Sequence, residues 1–95
     1  MRMNINILSG DDVIVKAQIV TLASLKAGES GTVYDFRGGE RLRKKLDSLG
    51  IRKGKNIKKV SDMVLRGPIT IQINNSSRVA IGRGMAEKIM VKVGN

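Results

Sequence analysis

Residues 38–55 carry the most regular spacing of apolar and charged positions in the chain. Leu42, Leu46 and Leu49 recur at i, i+4 and i+7, which places three side chains on one face of a helix. Arg41, Arg43, Lys44 and Lys45 fill the positions between them, so the outward face is almost purely cationic. Gly50 follows the last periodic residue, where helices commonly end in a left-handed conformation that a Cβ disfavours. The pattern predicts a helix from about Gly39 to Leu49, too short to stand without a partner surface.

The remaining periodicity is that of strands. Residues 31–36 alternate, with Val33 on one side and Tyr34 and Phe36 on the other. Ile57 and Val60 mark a second strand in which Lys58 and Lys59 break strict alternation, as at a bulge. Residues 63–65 read as a short apolar loop leading to Gly67-Pro68. Ile69, Ile71 and Ile73 then alternate with Thr70, Gln72 and Asn74, the clearest strand of all. Residues 75–77 turn the chain, and residues 78–81 return as a hairpin partner. Residues 82–88 offer a single helical turn, and residues 89–93 a last alternating strand. Ahead of these, Thr21 has N-cap chemistry for one helical turn closed at Gly28. Residues 1–20 are less legible: a turn at residues 9–12 and apolar pairs beyond it fit either an added edge strand or an extension.

Five short strands, tight turns and an early helix describe a mainly β fold with one or two short helices, a small partly open barrel. The barrel is expected over residues 21–94, with residues 1–20 as an N-terminal extension. The leucine stripe would cap an open end of the barrel.

Composition narrows what such a barrel can do. Ninety-five residues make one domain, and 41% hydrophobic with 27% charged residues is the balance of a globular chain. There is no Cys and no His, which removes disulfides, thiolate metal sites, the commonest metal ligand and the usual near-neutral general base. Eight scattered carboxylates are a poor basis for catalysis, so the expectation is that the chain is not an enzyme and holds no cofactor. No apolar run reaches the roughly 20 residues of a membrane span, and Asp11 and Asp12 interrupt any secretory segment early. A cytoplasmic protein is expected.

Eighteen basic against eight acidic residues give a net charge of +10, which suits an anionic partner. Between Arg37 and Lys59, ten Lys or Arg face only Glu40 and Asp47. Such a cluster either keeps a small barrel solvated or binds polyanions. Single-strand nucleic acid needs stacking platforms as well, and Tyr34 and Phe36 are the only aromatics. Gly38-Gly39 matches no phosphate-loop spacing, and Asp11-Asp12 reads as a turn before a cation site. Met1, Met3, Met63, Met85 and Met90 are too dispersed for a soft-metal site.

The order of motifs is specific. T-L-x-x-L-x-x-G-x-x-G-x-V over residues 21–33 leads to G-G-x-x-L-R-x-x-L-x-x-L-G-I-x-x-G over residues 38–54. G-P-I-x-I, V-A-I and A-E-x-I-x-V come after it at residues 67–71, 79–81 and 86–91. This series resembles the FeoA family of small accessory proteins in bacterial and archaeal ferrous iron uptake, over residues 21–93. The resemblance implies a small five-stranded Src-homology-3-like barrel. It also implies an adaptor for FeoB, the membrane transporter with a cytoplasmic GTP-binding domain, and places the chain at the inner membrane face only through that partner. Carried over to this chain, it points to Arg41, Arg43, Lys44, Lys45, Gly50, Ile51, Arg52 and Gly54 as the partner-binding surface, with Leu42, Leu46 and Leu49 packing the helix onto the barrel. Ferrous iron is then the substrate of the pathway and not a resident group. Lys53 stands where family members commonly carry proline. The high charge keeps a small nucleic-acid-binding barrel as the alternative, and short unpaired strand edges allow a homodimer.

Overall fold

The computed structural model describes residues 3–8, 14–61 and 67–94. Along the chain these form β1 (Met3–Leu8), β2 (Ile14–Thr21), a 3₁₀ turn (Leu22–Ser24), β3 (Ser30–Phe36), α1 (Glu40–Ser48), β4 (Asn56–Ser61), β5 (Ile69–Ile73), β6 (Ser77–Ile81), α2 (Arg83–Ala86) and β7 (Ile89–Val93). All pairings are antiparallel, in one sheet of order β1-β2-β7-β3-β4-β5-β6. The five strands expected from the alternation are β3 to β7. Residues 1–20 contribute β1 and most of β2, a hairpin added to the sheet through the pairing of β2 with β7. The expected turn at residues 9–12 and the apolar loop at residues 63–65 lie outside the described residues.

Period-two patterning drives the curl of the sheet. Ile69, Ile71 and Ile73 of β5 are buried while Thr70 and Gln72 stay half-exposed. They meet Val20, Val33, Ile57, Ile81, Ile89, Val91 and Val93 from the other strands in a single core. The core is almost wholly aliphatic, as the scarcity of aromatics requires. At the β5–β6 hairpin, Asn74 and Asn75 both adopt positive φ, 49° and 60°, the primed turn that suits strand twist. A Cβ on Gly31 would lie 2.6 Å from the Lys92 carbonyl oxygen, so β3 and β7 approach closely because that residue has no side chain.

Two irregularities depart from the simple alternation. The β3–β7 register slips between Val33 and Asp35, making Tyr34 the extra residue. The slip reverses the facing of the residues after it, so Phe36 packs against the core on the same side as Val33, and of the two aromatics only Tyr34 points outward, at 50% exposure. The second concerns Lys59. It does not break the alternation of β4: it occupies the inward slot after Ile57, opposite Ile71, and is 1% exposed. The bulge comes one residue later, between Lys59 and Ser61.

A lysine is tolerated there because the 3₁₀ turn supplies acceptors. Thr21 caps that turn by accepting from the Ser24 amide at 3.2 Å, and Leu25 leaves it. The Lys59 ammonium donates to the Ala23 and Leu25 carbonyls at 3.1 and 2.6 Å. The backbone closes the same clasp, with Gly28 donating to the Lys59 carbonyl at 2.7 Å and Lys59 donating to Glu29 at 3.0 Å. A buried cation is costly unless it is hydrogen-bonded, and this one is. Replacing Lys59 with Met keeps most of the volume and strands the two carbonyls. We expect Lys59→Met to lower stability by about 2 kcal/mol, read as a lower urea midpoint at unchanged slope. An unchanged midpoint would mean the two ammonium bonds contribute nothing.

Candidate functional site

α1 is anchored at both ends by backbone logic. At its N-terminus Gly38 has no Cβ because the Leu42 side chain lies in that space, and Arg43 donates to the Gly39 carbonyl at 3.1 Å. At its C-terminus Gly50 takes φ +85°. The Ile51 amide donates to Leu46 at 2.9 Å and the Gly50 amide to Asp47 at 3.0 Å, the paired bonds of a Schellman stop. That motif usually brings an apolar residue beyond the stop against the last turn. Ile51 and Leu46, 1% and 0% exposed, do this and belong to the core. Leu42 and Leu49 pack against it while remaining partly exposed.

The chain then doubles back over the helix end. Arg52 Nε meets the Asp47 carboxylate at 2.6 Å. Gly54, at φ +89°, donates to Val33 at 2.9 Å, and Val33 donates to Lys55 at 2.8 Å, which stitches the turn to β3. The stitch brings Lys53 to 3.2 Å from Asp35, and Arg43 approaches the same carboxylate oxygen at 3.8 Å. Helix, turn and strand thus enclose an open groove of about 510 Å³, lined by Phe36, Arg43, Lys44, Asp47, Ile51, Arg52 and Lys53. The floor has apolar contributions from Phe36 and Ile51, and four cations surround it.

Asp35 is the electrostatic hinge of this arrangement. The Phe36 backbone amide donates to it at 2.8 Å and, with the Lys53 ammonium next in effect and Arg43 weaker, holds its carboxyl below the ordinary 3.8.

Of the residues expected to meet a partner, all but Ile51 reach the surface at least in part. Arg41, Arg43, Lys44, Lys45, Arg52 and Gly54 are exposed and Gly50 is partly so. Ile51 is in the core and supports the surface from beneath. Arg43, Lys44 and Arg52 converge on the groove; Arg41 and Lys45 do not line it. Four participants were missed by the sequence pattern: Asp35, Phe36, Asp47 and Lys53. The β3 bulge hid Phe36, and only the stitched turn brings Lys53 to Asp35. Among the described residues no three of His, Cys, Asp and Glu gather as a metal site.

An α1-capped, partly open antiparallel barrel of this kind is a small Src-homology-3-like fold. The FeoA domain model matches residues 20–93, and the chain belongs to the FeoA family. A Methanocaldococcus jannaschii protein with the provisional name Fe(2+) transport protein A is 38% identical over 71 residues, 75% of this chain and 83% of that one. The crystal structure of an iron uptake regulatory protein, FeoA, superposes with TM-score 0.70 at 37% identity, covering 79% of this chain and 97% of its own. A zinc complex of Stenotrophomonas maltophilia FeoA, described as an SH3 domain protein and suggested as a ferrous iron transport activating factor, gives TM-score 0.61 at 23% identity. That match covers 79% of this chain and 96% of the other, and bears on fold alone.

Because the folded value of Asp35 is depressed, its contribution to stability is present above 3.8 and is lost as pH falls through the folded value. We expect its carboxyl resonance to titrate below 3.8, and Lys53→Gln to bring back only part of the difference, since the Phe36 amide acts first. Full return to 3.8 in that variant would show the lysine to be the principal cause.

Proposed function

We propose that the protein is an accessory factor of ferrous iron uptake that binds the cytoplasmic GTP-binding domain of a FeoB-type transporter and modulates it. The observation that carries this reading is the display of exposed cations by α1 and its following turn, anchored to the barrel by the buried Leu46 and Ile51. Membership of the FeoA family and the ferrous-iron names of its relatives supply the pathway. No helix among the described residues is long and apolar enough to cross a membrane, so contact with a transporter would be made by docking. Iron enters as the transporter's cargo. Modulation needs no chemistry from this chain: a partner that prefers one nucleotide state shifts the domain's population by its differential affinity.

The test is binding of the purified chain to the cognate GTP-binding domain, loaded in turn with GDP and a non-hydrolysable GTP analogue. We expect binding that differs between the two states and falls at least about tenfold when Arg41, Lys44, Lys45 and Arg52 are all changed to Glu. No binding in either state would overturn the reading. Tight RNA or DNA binding that collapses between about 50 and 200 mM salt, with no transporter binding, would favour the nucleic-acid alternative.

A further inference from the structure

The groove between α1, the turn after it and β3 has a chemistry narrower than a general cationic surface. Its cations are not equally committed. Arg52 spends its Nε on Asp47, leaving its terminal nitrogens, and Lys53 is held by Asp35 at 3.2 Å. Arg43 lies 3.8 Å from Asp35, beyond hydrogen-bond length, so its guanidinium fork retains its donors. Lys44 has no acidic partner among the described residues. Beneath them lie Phe36 and Ile51, apolar side chains that contribute to the wall of the groove. Asp47 lines the same wall with its charge engaged by Arg52, so an incoming acid is best met by Arg43 and Lys44.

We infer that this groove binds an acidic peptide segment of a protein partner, with one apolar side chain seated over Phe36 and Ile51 and carboxylates meeting Arg43 and Lys44. Carboxylates suit Arg43 because the planar fork pairs two oxygens at once. The apolar anchor is what separates a peptide from a polyphosphate, which brings charge without a side chain to fill the floor. Asp35 acts as an internal occupant: a carboxylate arriving near Lys53 competes with it, so the site is kept partly neutral until a segment with more than one acid displaces the contact. The inference rests on the adaptor reading only for the source of the segment, the transporter's cytoplasmic part. The groove chemistry stands without it.

The probes are a synthetic twelve-residue Glu/Asp peptide with one central Leu, the same peptide with Ser for Leu, and a twelve-nucleotide oligothymidylate. Each is titrated into the isotope-labelled full chain at about 50 mM salt. We expect the Leu peptide to shift the amides of Phe36, Arg43, Ile51 and Lys53 and to bind at least about fivefold more tightly than the Ser peptide. The double variant Arg43→Gln/Lys44→Gln should weaken the Leu peptide by at least about tenfold. The charge-matched control Arg78→Gln/Lys88→Gln, at exposed positions outside the groove, should weaken it by less than about threefold. Equal losses in both variants, equal affinity of the Leu and Ser peptides, tighter binding of the oligonucleotide, or no groove shifts would each overturn the assignment. Failure of the transporter domain to bind, with the peptide results intact, would remove the source of the segment and leave the groove.

Discussion

The packing of Leu46 and Ile51 on the barrel is the contact on which the cationic surface depends. α1 has nine residues, fewer than an isolated helix needs for stability in water. Burying one leucine completely contributes roughly 1.5–3 kcal/mol, which is of the order needed to hold such a helix in place. The Schellman stop at Gly50 makes the two burials one event, since the bond from Ile51 to Leu46 fixes where the chain leaves the helix. Arg52 and Lys53 come within two residues of it, so the same constraint decides which cations face each other. A helix docked differently would carry the same charges and no groove.

A second constraint runs through Lys59. Its ammonium and its backbone hold the segment from the 3₁₀ turn to Glu29 against β4, and β3 begins at the next residue. β3 then carries Asp35 and Phe36 to the groove. The two tie points lie at different heights along β3: Lys59 sets its entry, and the bond from Gly54 to Val33 sets its middle. The surface is thus built on β3, one helix closed by a Schellman stop and a turn stitched to β3 by backbone bonds. Preorganisation of this kind lowers the ordering cost of association.

Much of this was legible in residue spacing. The leucine stripe, Gly50 and the Ile69-Ile71-Ile73 alternation each state a local preference that the tertiary structure keeps, while the turn read at residues 75–77 begins one residue earlier, at Asn74. The hidden parts have physical causes. A bulge adds one residue and inverts the facing of every later residue in the strand, so Phe36 read as lying opposite Val33 when both pack on the core. Lys59 read as a defect in a strand because its compensating acceptors lie thirty-four and thirty-six residues earlier in sequence. Asp35, Lys53 and Arg43 carry no shared local pattern; only the doubling back of the chain over α1 brings them together. The alternation of residues 1–20 left strand and extension equally open, because a hairpin's register depends on the partner strand β7 at the far end of the chain.

The most direct test of the claim that helix docking creates the surface is amide hydrogen exchange on the Leu46→Ala variant, measured alongside its affinity for the transporter's GTP-binding domain. All the groove cations remain in that variant. The account predicts faster exchange across residues 43–51, retained protection in β5 and β7, and lost binding. Unchanged affinity with the helix amides exchanging freely would show that charge alone suffices, and that the docked geometry of α1 is not what the partner reads.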